Sequence, residues 1–487
     1  MVSNLLMTEH TEGRSNQMLV SVVGLLYVAW HVATLSVSPL PWYDEVFFAG
    51  ISQNVAAGKG FYTLPTLEKQ PYEALFYGPL YFWLQAFVIK LAGLHQFTFR
   101  LTGLLSGIAC LAIVYRYAAG TRSKWHLAAV LLLMFAPQFI QSMHNGRMDM
   151  LANALLLLAY LPVLRQQSLT THRAAFSAML FALALLTTPR AATLFPGFFV
   201  YYLAVEPPRI PMILCLFATA ALPLLAFGTW STLAAGSPLG AMATMQHHEA
   251  SAVSFVGISW VRSLPDDLLL WLFIAAAAWQ LYRRRDTLLL ALLVTCISFC
   301  LLVRENGPYI NMVLPFAALG LARWWQLQQP GSILYFRMTT LAGLTLAVFA
   351  CVFVFKNAVI ASTLQGRLPH TFNQWARQYL KPGDKVLADA AYYYAVNSAG
   401  AGYCSLTPHH LQRQPAAPDQ FGINAVVTDL RNTIIIGQLG QTGFASSGSF
   451  PARIPELLAG LTFMNWGVRN PGYNAIVLRR AAAVPAQ

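Results

Sequence analysis

Asp44 and Glu45 stand side by side in Pro41-Trp42-Tyr43-Asp44-Glu45-Val46, just past an apolar run from Met18 to Val37. The chain has 18 Asp and Glu against 31 Lys and Arg in 487 residues. Ionisable groups at a membrane edge are costly to keep, so the default reading of this pair is a functional site, with a carboxylate available as a general base. On a helix that begins after Pro41, adjacent side chains point about 100° apart, so one can face a cleft while the other makes a structural contact. The competing account is capping, in which carboxylates of a first turn meet the helix dipole.

Three further constellations carry chemistry. In Asn145-Gly146-Arg147-Met148-Asp149-Met150, Arg147 and Asp149 either pair and cap the following helix or belong to a site. Lys69, Arg190, Arg262 and Arg304 end or follow apolar segments on the side where basic residues are disfavoured. That placement suits an anionic ligand, with guanidinium forks matched to phosphate, and it also suits headgroup anchors. His247-His248-Glu249 offers metal-binding atoms for Zn²⁺ or Mn²⁺, with Glu68 as a further ligand. The adjacent histidines lack the i, i+4 spacing that aligns two ligands on one helix, so a substrate-contacting or interfacial loop is the better reading. No cofactor is firmly implied; a divalent cation stays open.

The elements that must position these residues are membrane helices. Hydrophobic residues make up 57% of the chain and charged residues only 10%, with a mean hydropathy of +0.52. This composition points to a polytopic membrane protein. The net charge of +13 comes from basic residues scattered between apolar runs, which is how topology-setting charges are distributed; nucleic-acid binding is excluded. The six cysteines lie mostly in apolar runs and give no disulfide framework. The first apolar run is nearly span length and lacks a clean cleavage motif, so it reads as an uncleaved helix.

Candidate spans fall at 18–37, 99–118, 125–143, 150–165, 174–188, 192–206, 211–230, 266–282, 287–303, 309–327 and 338–358, about eleven by the length rule. Several are short, as tilted or broken helices would be. Leu80 to Leu91 is too short to span and reads as interfacial or re-entrant. With that segment not spanning, Arg122, Lys124, Arg165, Arg173, Arg209, Arg283-Arg284-Arg285, Arg323 and Arg337 all fall on one side, which the positive-inside rule makes cytoplasmic. Half of the 18 carboxylates fall on the other side, in a first outer loop, 38–98, and in loops that include a second long one, 231–265.

The expected organisation is a transmembrane domain, 1–360, and an outer α/β domain, 361–487. In the second, Thr371 to Leu380 reads as a helix. Lys385 to Ala388, Asn424 to Thr428, Thr433 to Ile436 and Tyr473 to Leu478 read as strands. No internal repeat is present, which weakens transporter folds built from inverted halves.

The chain resembles GT-C superfamily glycosyltransferases that use polyprenyl-phosphate sugars, in the protein O-mannosyltransferase and aminoarabinose (lipid A) transferase branch. The residues that carry the resemblance are Asp44-Glu45, Glu68-Lys69-Gln70-Pro71, Gly78-Pro79-Leu80-Tyr81-Phe82-Trp83, Phe99-Arg100-Leu101, Arg147-Met148-Asp149-Met150, Arg304 with Tyr309 to Pro315, and Trp375 to Asp389. Two departures stand out: Gln70 replaces a proline, with an insertion through Tyr72 to Tyr77, and Met148 replaces the proline of the family's Arg-Pro-Asp-Met-like turn.

The resemblance implies transfer of a sugar from a polyprenyl-phosphate donor to an acceptor hydroxyl at the periplasmic face of a bacterial inner membrane, with inversion at the anomeric carbon. It implies Asp44 as base, with Glu45 second, and Asp149 and Arg147 orienting the base or touching the sugar. Lys69, Arg190 and Arg304 would face the departing phosphate, with Arg262, Glu68, Tyr309, His247 and His248 as further substrate contacts. A transporter or flippase of a lipid-linked anion is the competing class. It accounts for the outer cations but not for the carboxylates gathered on one face or for the α/β domain. A non-catalytic scaffold is the third reading.

Overall fold

The computed structural model describes residues 22–66, 71, 73–74, 77–119, 126–168, 170–205, 210–234, 268–303, 309–329, 331–406, 418, 421–451 and 472–480. Helices dominate it, and prolines set where many of them start. Proline fits a helix's first turn but not its interior. Accordingly α1 (Val22–Thr34) ends in a turn that leads through Pro39 and Pro41 into α2 (Tyr43–Ala56), which carries Asp44 and Glu45 in its first turn. Pro79 opens α3 (Pro79–Ala92). After α4 (Gln96–Ala119) and α5 (His126–Phe135), Pro137 opens α6 (Pro137–His144), and α7 (Asp149–Ala159) follows. Pro189 likewise opens a 3-10 turn, Pro189–Leu194, and Pro196 the helix Pro196–Val205.

These breaks interrupt several of the expected spans, which hydropathy draws by length alone. Among the described residues, Gln96–Ala119 and Ile333–Ser362 are long and apolar enough to cross a membrane, and Leu127–Phe135 with Pro137–His144 form a pair bent by 58°. Shorter apolar helices have 10–17 residues, and at about 1.5 Å per residue they fall short of a hydrocarbon core of about 30 Å, whereas Ile210–Ala234 runs for 25 residues. The expected spans at 150–165, 192–206 and 309–327 each break into a short or 3-10 piece and a helix. Leu25, Leu91, Phe217 and Phe336 are exposed apolar side chains along the bundle, the surface a lipid-embedded protein presents.

The segment read as interfacial falls within α3. Tyr81, Phe82, Gln85 and Ala86 are its buried side, while Trp83, Phe87 and Leu91, four apart, are exposed. Spacing of i, i+4, i+8 puts these three on one face.

The C-terminal part forms a five-stranded mixed sheet in the order β2-β1-β3-β5-β4. Its strands are β1 (Lys385–Ala388), β2 (Gly402–Ser405), β3 (Ala425–Asp429), β4 (Phe444–Phe450) and β5 (Ala475–Arg480). β1 runs parallel to β2 and β3, and β5 antiparallel to β3 and β4. Thr433 to Ile436, expected as a strand, instead begins the helix Thr433–Gln441. Ile435 and Leu439 are buried four residues apart while Ile434 faces out, so tertiary burial at helical spacing overrides a short β-branched run.

One apolar core fills the bundle. A second joins α2 and α3 to the sheet through Phe48, Tyr77, Tyr81, Phe372, Tyr392 and Tyr473. The sheet is therefore seated directly on the segment that carries Asp44 and Glu45.

Candidate active site

Arg147 organises the site. It lies in the turn between α6 and α7, buried, and its Nε donates to Asp149 Oδ2 at 2.7 Å. Its Nη1 donates to Asp44 Oδ2 on α2. The turn can form only because residue 146 is glycine: a Cβ there would lie 2.2 Å from the Phe99 ring and 3.2 Å from Glu45 Cγ. Burial pulls the Arg147 guanidinium down, but Asp149, Tyr309 and Asp44 outweigh it and hold it above its ordinary value.

Aromatic rings wall this guanidinium. Its carbon lies 5.4 Å from the Trp42 ring centroid, 5.9 Å from Phe48 and 4.6 Å from Tyr309. Arg190 shares the last of these rings, at 4.0 Å. Stacking a cation on a ring draws on the ring's negative face, and here one ring serves two cations. Tyr309 is fixed by the 3-10 turn Ile310–Met312 that follows it. In that turn Asn311 accepts from Asn153 Nδ2 at 2.8 Å and donates to the Ser142 hydroxyl, which ties it to both α6 and α7. Arg190 rides on the turn Pro189–Leu194. The approach to it is pinned where Leu80 N donates to Leu186 O at 3.0 Å beside Gly78, whose missing Cβ would sit 2.0 Å from that oxygen. Tyr77 lies within electrostatic reach of Tyr309, Arg190, Arg147 and Asp44, and burial first, then Tyr309, keeps its phenol protonated far above the ordinary range.

Asp44 is the open member of this cluster. Its side chain is 32% exposed, against 2% for Arg147 and 1% for Asp149. Arg147 engages Oδ2 alone, and among the described residues Oδ1 has no hydrogen-bond partner. Asp149 begins α7 but does not cap it; the N-cap residue is Met148, with no side-chain cap bond. One Asp149 oxygen is given to Arg147, and the other is buried without a partner among the described residues.

Glu45, one residue on, faces the other way and is closed. Arg100 grips it from α4 with Nε to Oε1 at 2.9 Å and Nη2 to Oε2 at 2.7 Å, and both side chains are 0% exposed. Arg100 Nη1 donates to Leu35 O at 2.9 Å, and the Tyr394 hydroxyl donates to Glu45 Oε1 at 3.1 Å. Burial, with Glu45 beside it, pushes the Tyr394 phenol well above its ordinary range, so it stays a donor. Glu45 thus ties three membrane-side elements to the helix Tyr393–Ser398 of the C-terminal part and turns no oxygen to the Asp44 cleft.

Of the residues singled out from the sequence, Asp44, Arg147, Asp149, Arg190 and Tyr309 come together. Glu68, Lys69, His247, His248, Glu249, Arg262 and Arg304 lie outside the described residues. Among the described residues no three His, Cys, Asp or Glu form a metal-holding group. Sequence reasoning passed over Tyr77 and Trp42; an aromatic residue between two chemistry-bearing segments was the available signal. It also passed over Tyr394, which nothing in its local sequence marks.

The family model described as dolichyl-phosphate-mannose-protein mannosyltransferase matches residues 71–231, about a third of the chain. No curated protein matches the chain. Among solved structures, the chain is similar to ArnT from Cupriavidus metallidurans bound to undecaprenyl phosphate, with a TM-score of 0.58 and 14% identity, covering 97% of this chain and 99% of that one. The apo state of the same protein gives 0.56 and 13%. Arabinofuranosyltransferase AftD from Mycobacteria gives 0.51 and 16%, covering 94% of this chain but 40% of that one. These are GT-C glycosyltransferases, and the chain has the GT-C fold.

Proposed function

From the GT-C fold and the place of Asp44 within it, we propose that this chain is a membrane glycosyltransferase. It moves a sugar from a polyprenyl-phosphate donor to an acceptor hydroxyl at the periplasmic face of a bacterial inner membrane. The observation that carries this reading is the asymmetry of the acidic cluster: one half-open carboxylate, oriented through one oxygen by a buried arginine that shares the Tyr309 ring with a second arginine, Arg190.

The reaction needs few parts. The acceptor oxygen attacks the anomeric carbon and gives its proton to Asp44 Oδ1, while the bond from that carbon to the phosphate oxygen breaks and its electron pair leaves with the lipid phosphate. Arg190 is placed to meet the charge that grows on the phosphate, and Lys69, Arg262 and Arg304 are further candidates for that role. Tyr309 and Arg147 fix the positions of the cation and the base, and holding both substrates in line supplies much of the rate. Asp149 keeps Arg147 turned toward Asp44. A single displacement with a pre-activated leaving group inverts the anomeric configuration.

The test is mass spectrometry of the cell envelope from strains that carry wild type or Asp44→Asn. The reading expects one defined glycan mass to vanish in the variant, which identifies sugar and acceptor together. An unchanged glycan profile overturns the assignment of Asp44, and a product with retained configuration overturns the single displacement. A vesicle assay in which the lipid-linked substrate crosses the bilayer chemically unaltered would favour the flippase instead.

A further inference from the structure

A groove of about 560 Å³ opens at the end of the bundle opposite the acidic turn, within the range of roughly 300–1000 Å³ that ligand pockets occupy. It lies between the end of the helix Leu268–Arg283 and the start of Ile333–Ser362. The second of these helices runs 30 residues, about 45 Å at 1.5 Å per residue. Its far end lines a cleft with Trp42, beside the acidic turn. The groove and the site thus stand at least a hydrocarbon core of about 30 Å apart.

Three arginines line the groove, Arg283 and Arg284 where the first helix ends and Arg337 in the second turn of the other. No Asp or Glu is among the described residues that line it. The nearest carboxylate in sequence, Asp286, is committed elsewhere: it accepts from Arg323 Nη2 at 2.6 Å and caps Thr287–Leu302 through Leu289 N at 2.8 Å. A helix C-terminus suits Arg283 and Arg284 by itself, whereas the N-terminal end of a helix does not suit Arg337. An anion in the groove supplies what that arginine lacks. The rim is apolar: Trp279 stacks on Arg283, whose guanidinium carbon lies 5.0 Å from the ring centroid, and both Trp279 and Ile333 are exposed in the lining. Tyr282 and Phe336 are exposed next to them. Aromatic and basic side chains mixed in this way belong at the membrane–water interface, and a basic pocket between membrane helices suits an anionic headgroup.

We propose that this groove holds the headgroup of one anionic phospholipid, with its phosphate between Arg337 and the Arg283–Arg284 pair and its chains along Trp279 and Ile333. The apolar rim favours a lipid over a free anion, and the arginines favour an anionic lipid over a zwitterionic one. The site takes no part in the transfer chemistry. With the acidic turn at the periplasmic face, as proposed above, it belongs to the cytoplasmic leaflet, where the lipid bridges two helices that present like charges to each other.

The experiment uses the purified full chain in detergent and native mass spectrometry, with phosphatidylglycerol, phosphatidylcholine and inorganic phosphate as separate probes. Wild type is expected to retain one phosphatidylglycerol in preference to phosphatidylcholine. Arg337→Gln is expected to weaken that retention by about tenfold or more, the scale of a lost charge-assisted hydrogen bond, with Arg284→Gln as a second loss variant. An unchanged thermal midpoint shows that each variant is folded. Arg116→Gln is the control: it removes the same charge near the end of Gln96–Ala119 that lies away from Glu45, beside a different groove, and is expected to retain the lipid as wild type does. An equal loss in Arg116→Gln overturns the proposal, because retention then follows net charge and not this groove. Equal retention by wild type, Arg337→Gln and Arg284→Gln overturns it as well, as does wild type holding phosphatidylcholine as tightly as phosphatidylglycerol. Arg337-dependent retention of inorganic phosphate as tight as that of the lipid overturns the lipid as occupant. None of these readouts uses turnover, so failure of the transferase reading leaves the groove's ligand to be judged separately.

Discussion

Asp44 and Glu45 share a helical turn and meet opposite fates. Glu45 is fully buried, gripped at both oxygens by Arg100 and touched by Tyr394. Asp44 keeps a third of its side chain exposed and offers its arginine one oxygen. About 100° of helix rotation separates a charge used to hold the protein together from a charge left open to act. The lesson concerns arginine as well. A guanidinium that fills both carboxylate oxygens from a buried site closes that carboxylate, whereas one that fills a single oxygen aims it.

The largest effect should come from breaking the closed pair. Arg100→Ala leaves Glu45 buried without its cation, and such changes cost about 3–5 kcal/mol. We expect poor accumulation and a sharply lower unfolding temperature in detergent, and a stable Arg100→Ala protein would show that the pair is not a structural tie. Asp44→Asn should behave in the opposite way, with a loss of about 10²- to 10⁴-fold in turnover, the range for a lost general base, and a thermal midpoint close to wild type. A variant that unfolds instead would erase the distinction between the two carboxylates. Tyr394→Phe removes one hydrogen bond to Glu45 but spares Arg100, and is expected to cost about 1–2 kcal/mol, read as a modest fall in midpoint with turnover retained.

Asp389, at the end of β1, sharpens the contrast with the smallest effect. It is a largely buried carboxyl whose partners are the Thr428 hydroxyl and the Asp429 amide rather than a cation. Burial lifts it from 3.8 to about 6. The folded state therefore holds this proton more tightly than the unfolded chain. The stabilising contribution is complete below about 3.8 and is lost as pH rises through about 6. Asp384 and Asp429 work the other way, because arginine partners outweigh burial and lower both. The measurement is thus a difference: the thermal midpoint of Asp389→Asn should gain on wild type as pH climbs from 4 to about 7, and a constant gap would refute the shift.

Much of the site was legible because carboxylates are scarce in this chain. Asp44, Arg147 and Asp149 stand out against apolar sequence, and folding brings them together. Which of the adjacent acids stays open was not legible, because it depends on Arg100 and on Tyr394, 349 residues away. The helix breaks were written in the sequence as prolines at 137, 162, 189 and 196, yet hydropathy averaged over a window runs through them. Thr433 to Ile436 misled because four β-branched residues cannot show their period; the deciding residue, Leu439, lies beyond the run. β4 went unread because Phe444-Ala445-Ser446-Ser447-Gly448-Ser449-Phe450 is polar along an exposed edge.

The tie from Glu45 to Tyr394 also orders events during synthesis. Arg100 emerges soon after Glu45, but Tyr394, 349 residues on, arrives far later, along with Tyr393 and Asn397, which both bond Gln53 on α2. Contacts of such separation form late. A ribosome that stalls before residue 390 therefore leaves a bundle whose α2 lacks these fastenings, and the helix of the proposed base is fixed only when the sheet domain closes over it.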